Sequence, residues 1–284
     1  MPFARQNPKI PEGINTSEEH PLKEFLLLLI GVLRAVVGAV MLVALLAGHL
    51  AHYIPFRYEQ RLVMLFTEPT ALTEPEQRNP DFENAERALR SLGQRLAADA
   101  ELPEDMQLQF HLVKADDLPN AFATLGGHIF VTTGLIRQID SENALAMVIA
   151  HEIAHIRYRH PVRGMSSGLV IQFMLSLITG SQSTGLTTLV GQTGLLTLFS
   201  FSRSMETDAD RAALDTLYRH YGTLDGADVF FAMMLDRRQR PAWQAMFETH
   251  PDTGRRLALI RQAIAERTGG TTPVRPLDPR LIFD

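Results

Sequence analysis

The chain opens with a polar stretch interrupted by Pro2, Pro8, Pro11 and Pro21, then turns apolar from Phe25 to Tyr53, where Arg34 is the one formally charged residue. Residues 1–24 therefore predict a flexible N-terminal tail. Residues 25–54 are apolar on every side and long enough for a helix across a bilayer, which needs about 20 such residues. A secretory signal peptide is the rival. The late start, the length and the exit through His52, Tyr53 and Pro55 favour an uncleaved transmembrane anchor. Arg34 would sit near one interface or snorkel toward it.

The pattern then changes repeatedly. Pro55, Pro69, Pro75 and Pro80 mark a linker over 55–80. Ala85, Ala88, Leu89, Leu92 and Leu96 recur at helical spacing and predict a helix over 81–100. Leu108, Phe110 and Leu112 alternate with polar residues, as in a half-buried strand over 106–113. Residues 116–120 read as a turn, and His-Ile-Phe-Val-Thr at 128–132 as a second strand entered through Gly126-Gly127. Ser141 is placed to cap a helix running to about Tyr158, with Leu145, Val148, Ile149, Ile153 and Ile156 largely on one face. Residues 168–200 are apolar but laced with Gly, Ser, Thr and Gln, and break at 180–185. They predict a helical hairpin, packed on the domain or facing the membrane, rather than two further spans. Helices are expected over 205–221, 225–238 and 255–267, with a C-terminal tail over 269–284. The sum is an α+β, mainly α-helical domain over 81–268 with a small β-sheet, preceded by one transmembrane helix.

Composition narrows the chemistry. Apolar residues at 45% and charged residues at 21% suit a folded globular domain. The net charge of −5 is spread along the chain without a basic tract, which argues against nucleic acid as a partner. There is no cysteine, so disulfides, thiolate metal sites and cysteine nucleophiles are excluded. A metal must be held by His, Asp or Glu. Within the apolar run, residues 35–54 alone are long enough to span; Lys9, Lys23 and Arg34 precede that stretch and Arg57 and Arg61 follow it. That slight positive excess puts the tail in the cytoplasm and the large domain outside, in the periplasm of a Gram-negative host.

The decisive string is His151-Glu152-Ile153-Ala154-His155. On a helix, positions i and i+4 share a face, so two imidazoles can grip one zinc ion. The glutamate beside the first histidine reaches an attacking water without ligating the metal. The bland alternative is a pair of surface histidines. Glu206 and Asp210, also four apart, suit a third ligand and a carboxylate that orients a ligating histidine. By spacing alone they equally suit a solvated acidic first turn.

Together with Arg159-His160, Ser202-Arg203-Ser204-Met205-Glu206-Thr207-Asp208-Ala209-Asp210, Asn120-Ala121-Phe122-Ala123, Gly126-Gly127-His128-Ile129, Thr133-Gly134-Leu135 and His250-Pro251, the motif resembles the membrane-linked gluzincins. These include HtpX-type and Oma-type proteases and CAAX prenyl endopeptidases. The resemblance covers residues 120–256. It implies a zincin-like fold and one zinc ion per chain on His151, His155 and Glu206, with Glu152 as general base and Asp210 supporting a ligand. It places His250 near the oxyanion, against the alternative of a turn histidine before Pro251. It gives Arg255 an oxyanion or helix-capping role. The strand around Gly127, His128 and Ile129 would be an edge that pairs with extended substrate, against the alternative of an ordinary buried strand, and His128 and His160 would otherwise be structural. HtpX-type proteins are similar in carrying several spans, whereas one span is clear here. The implied function is a single-pass, membrane-anchored endopeptidase acting on exposed or misfolded polypeptide. The alternatives are a polypeptide-binding chaperone or adaptor on the same fold, and a zinc enzyme acting on a small molecule.

Overall fold

The computed structural model describes residues 21–50, 53, 55–60, 79–164, 201–267 and 273–282. The hairpin expected over 168–200 lies outside these. Contacts divide the chain into two compact units, residues 1–43 and 44–284.

Helix α1 spans Pro21–Leu50. It begins inside the stretch expected as tail, because proline suits a first helical turn and Glu24 complements the positive end of the helix. Its window Leu22–Leu46 has a mean hydropathy of 2.7 over 25 residues. At 1.5 Å rise per residue that is about 37 Å, enough to cross a hydrocarbon core of about 30 Å.

The second unit is mostly helical around a three-stranded sheet. Helix α2 (Pro80–Asp99) starts where Asn79 Oδ1 accepts from Phe82 N at 2.8 Å, with proline following the cap. Its buried face is Phe82, Ala85, Ala88, Leu89, Leu92 and Leu96, which packs on β1 (Gln109–Val113). Gly93 makes that approach possible. A Cβ there would stand 2.5 Å from Phe110 Cδ1, so Phe110 would have to move in a filled core. Gly93→Ala is expected to cost about 1–2 kcal/mol net, overpacking outweighing alanine's better helix propensity. Denaturant unfolding checks this, and an unchanged midpoint would contradict it.

Strands β2 (Ala121–Ala123) and β3 (His128–Thr132) complete the sheet in the order β1-β3-β2. β1 runs parallel to β3 with Phe110 opposite Ile129, and β2 runs antiparallel with Phe122 opposite Phe130. The expectation that Gly127, His128 and Ile129 form a substrate-pairing edge is therefore overturned. β3 is the central strand, its backbone groups are shared between two neighbours, and all five residues are buried. β2, three residues long, was missed by the alternation rule because Ala-Phe-Ala is too short to show a period.

Helix α3 (Thr133–Ile136) leads to the central helix α4 (Glu142–Arg157), capped by Ser141 Oγ on Ala144 N at 3.2 Å. Residues 143–156 of α4 are all buried. Helix α5 (Arg203–Tyr221) lies against it, and Ala154, Ala209 and Ala212 bring the two backbones close. Helices α6 (Val229–Asp236), α7 (Gln244–Thr249) and α8 (Thr253–Arg267) close the other side.

Two stretches expected as loose are anchored. In the expected C-terminal tail, Arg275 N donates to Asn143 Oδ1 at 3.0 Å and Leu277 and Leu281 are buried. In the expected linker, residues 56–60 are helical and Phe56 and Glu59 are buried.

Candidate metal centre

α4, α5 and the end of α7 bring four side chains to one point. His151 and His155, one turn apart on α4, bring their Nε2 atoms within 2.9 Å. Glu206 enters from the first turn of α5, which begins where Ser202 Oγ accepts from Met205 N. Its Oε2 lies 3.5 Å from His151 Nε2 and its Oε1 3.3 Å from His155 Nε2. His250, at the end of α7, sets Nδ1 3.2 Å from Glu206 Oε1. One ligand atom from each of the four lies within 4.8 Å of the others, and all four residues are buried.

These dimensions fit a metal ion. Ligands about 2.0–2.1 Å from a tetrahedral centre stand about 3.3 Å apart, close to the 2.9, 3.3 and 3.5 Å seen among His151, His155 and Glu206. The far ring nitrogens are spoken for. His151 Nδ1 is 2.9 Å from Asp210 Oδ1, and His155 Nδ1 is 2.8 Å from His160 Nδ1. Burial, then Arg163, pushes His160 down to about 3, so it is neutral and its Nδ1 can accept a hydrogen bond from His155 Nδ1–H. With a metal bound, both ligating candidates would present a bare Nε2 to the centre, each ring held by the partner on its other side. Glu152 Oε2 and His250 Nε2 are buried there without a hydrogen-bond partner, the mark of polar atoms awaiting a third party.

The balance of charge agrees. For Glu206, burial opposes ionisation, but the charges of His250 and Arg256 and the bond from His151 hold its carboxyl well below the usual range. For His151, burial and Arg256 oppose protonation, yet bonds to Asp210 and Glu206 lift it to about 9. A surplus of carboxylate favours positive charge at the centre of the cluster, which is what a cation supplies.

A family model described as peptidase family M48 matches residues 83–264. The chain belongs to that family. That family is one of peptidases. Among curated relatives it is 31% identical over 188 residues to the beta-barrel assembly-enhancing protease of Escherichia coli K12, an alignment covering 61% of this chain and 37% of the relative. It is 30% identical over 165 residues to the mitochondrial metalloendopeptidase OMA1 of Schizosaccharomyces pombe, covering 57% of this chain and 48% of the relative. It is likewise 30% identical over 191 residues to bovine OMA1, covering 61% and 36%. The chain thus spans less than half the length of these curated relatives.

One M48 position assigned from sequence is displaced. Arg255 is exposed on α8, and the arginine that reaches the cluster is Arg256. The buried face of α8 is Thr253, Arg256, Leu257 and Ile260, a spacing of i, i+3, i+4 and i+7. Residue 255 falls off that face, so helical phase alone could have identified the right arginine. Arg256 Nη1 is 2.5 Å from Glu206 Oε2, while its Nε and Nη2 grip Asp210 at 2.8 and 2.7 Å. Arg256 and His160 are the site residues whose contacts sequence reasoning did not supply. His128 lies away from the cluster, 2.9 Å from His111 on the sheet.

Proposed function

We propose that this M48 peptidase is a membrane-anchored zinc endopeptidase. His151, His155 and Glu206 hold the ion, and Glu152 is the general base. The observation that carries the reading is the convergence of two Nε2 atoms and one carboxylate beside an unpartnered, buried glutamate oxygen. A zinc ion bound there would polarise the peptide carbonyl and lower the pKa of the attacking water toward 7.

Burial pushes the Glu152 carboxyl up, against the charges of His250 and His151. A raised carboxylate is better matched to taking a proton near neutral pH than an exposed one. Glu152 Oε2 faces no protein donor and is free to accept the water proton and return it to the leaving amine. His250 Nε2 stands 3.6 Å from Glu152 Oε1. It is placed to donate to the developing oxyanion, a role that requires a proton on Nε2. Asp210 fixes His151 in the Nδ1–H tautomer. The cavity beside these groups is ≈ 10 Å³ and is walled by Val148, Phe230, Phe231 and Met234. It has room for about one water.

Helix α1 would serve as the anchor. The basic residues toward its N-terminal end, Lys9, Lys23 and Arg34, favour a cytoplasmic N-terminus and an extracytoplasmic catalytic body, periplasmic in a Gram-negative host. Unfolded polypeptide near the bilayer is the substrate class this arrangement suits. Chelation tests the reading. Stripping the metal from the full-length protein in detergent should abolish casein cleavage, and zinc should restore it. Cleavage persisting after metal is measured as gone would overturn it.

A further inference from the structure

Two residues of the short helical turn that follows the apolar helix, Phe56 and Glu59, are built into the catalytic body. Phe56 and Glu59 are buried, although a linker was expected there and the M48 match begins only at residue 83. Glu59 Oε1 accepts from Arg159 Nε at 2.6 Å, and Glu59 Oε2 lies 3.4 Å from Gly126 N. Phe56 lies under the same two elements. The Arg159 guanidinium is 5.7 Å from its ring centroid, and a Cβ on Gly127 would come within 3.1 Å of its Cζ.

Both contacts fall at places that set the site. Arg159 is buried, holds a left-handed φ of 60° that non-glycine residues rarely adopt, and comes just after Tyr158, the C-cap of α4. Its neighbour His160 is the residue that meets His155 Nδ1 at 2.8 Å. Gly126 and Gly127, both at positive φ, form the turn from β2 into β3. β2 packs on α4. Burying a carboxylate and a guanidinium adds little net stability, and such pairs are better attested as devices that select one arrangement.

We propose that Glu59, supported by Phe56, is a positioning residue for the metal centre. By holding Arg159 in its turn it keeps His160 against His155, and so keeps His155 Nε2 aimed at the ion. The working catalytic unit then begins at residue 56. The inference rests on the metalloprotease reading above, and its test is separable from it.

The test uses the full-length protein in detergent, native against Glu59→Gln and Phe56→Leu, with unfolding followed by circular dichroism so that rates are compared on fully folded samples. Two readouts are taken: kcat and KM on a fluorogenic peptide, and the rate of zinc transfer to a competing chelator. Removing a contact beyond a ligand's direct partner should weaken metal retention about three- to tenfold, at or below the range for direct partners. The expectation for Glu59→Gln is that loss, with kcat falling by a similar factor and KM within twofold. Phe56→Leu should move both readouts in the same direction by less. Zinc transfer and kcat within twofold of native in folded Glu59→Gln would overturn the proposal. Should that variant not fold, the same result in Phe56→Leu would overturn it. Glu152→Gln runs alongside. Cleavage equal to native in that variant would sink the base assignment, while zinc transfer would still decide the role of Glu59.

Discussion

Glu152→Gln is expected to keep its metal and lose its hydrolysis. Glu152 is buried on α4 between the two histidines, yet its Oε2 has no protein partner. Glutamine fills the same volume and leaves His151, His155 and Glu206 untouched, so the binding cluster should persist. What disappears is the group that takes the proton. General base catalysis contributes about 10²–10⁴-fold, and kcat on an unfolded substrate should fall by at least that factor. The measurement is metal content by mass spectrometry together with turnover on the same sample. Retained turnover would remove Glu152 from the mechanism. Loss of metal along with activity would make it structural instead.

The second large effect is expected at Arg256. Its guanidinium binds Glu206 and Asp210 together and lies 4.7 Å from the Phe231 ring centroid. Arg256→Met keeps the length of the side chain and removes the charge, leaving two buried carboxylates short of a counter-ion. Breaking a buried charge pair by removing one partner costs about 3–5 kcal/mol. The loss should be largest in metal-stripped protein, where no cation offsets Glu206. Metal retention should also weaken about 10–100-fold, because Arg256 holds both a ligand and the carboxylate that orients His151. Denaturant unfolding with and without chelator, plus chelator competition, reads both effects. Stability within about 0.5 kcal/mol of native, the scatter of ordinary surface substitutions, would contradict the account.

The parts of this architecture visible in the sequence are those encoded by local periodicity. The face of α2, the Ser141 cap and the pair His151/His155 each depend on residues within a turn or two of one another. Glu206 and Asp210 were legible only as a pair of uncertain purpose until the family pattern was added, because Glu206 lies 51 positions beyond His155. The failures were tertiary. The position of β3 inside the sheet depends on β2, whose three residues carry no period. The choice between Arg255 and Arg256 depends on which side of α8 faces α5, although Leu257 and Ile260 already marked that side. Phe56 and Glu59 sat in a proline-marked stretch, and nothing local indicates that they meet a turn 67 and a helix end 100 residues away.

The central claim is that two α4 histidines and one α5 carboxylate hold a single zinc ion. Diffraction from crystals of the full-length protein, recorded on both sides of the zinc absorption edge, tests this most directly. The account predicts one anomalous peak per chain, bounded by His151, His155 and Glu206 and within reach of Glu152. A zinc-replete crystal with no peak at that point, or with its peak on other residues, would contradict it.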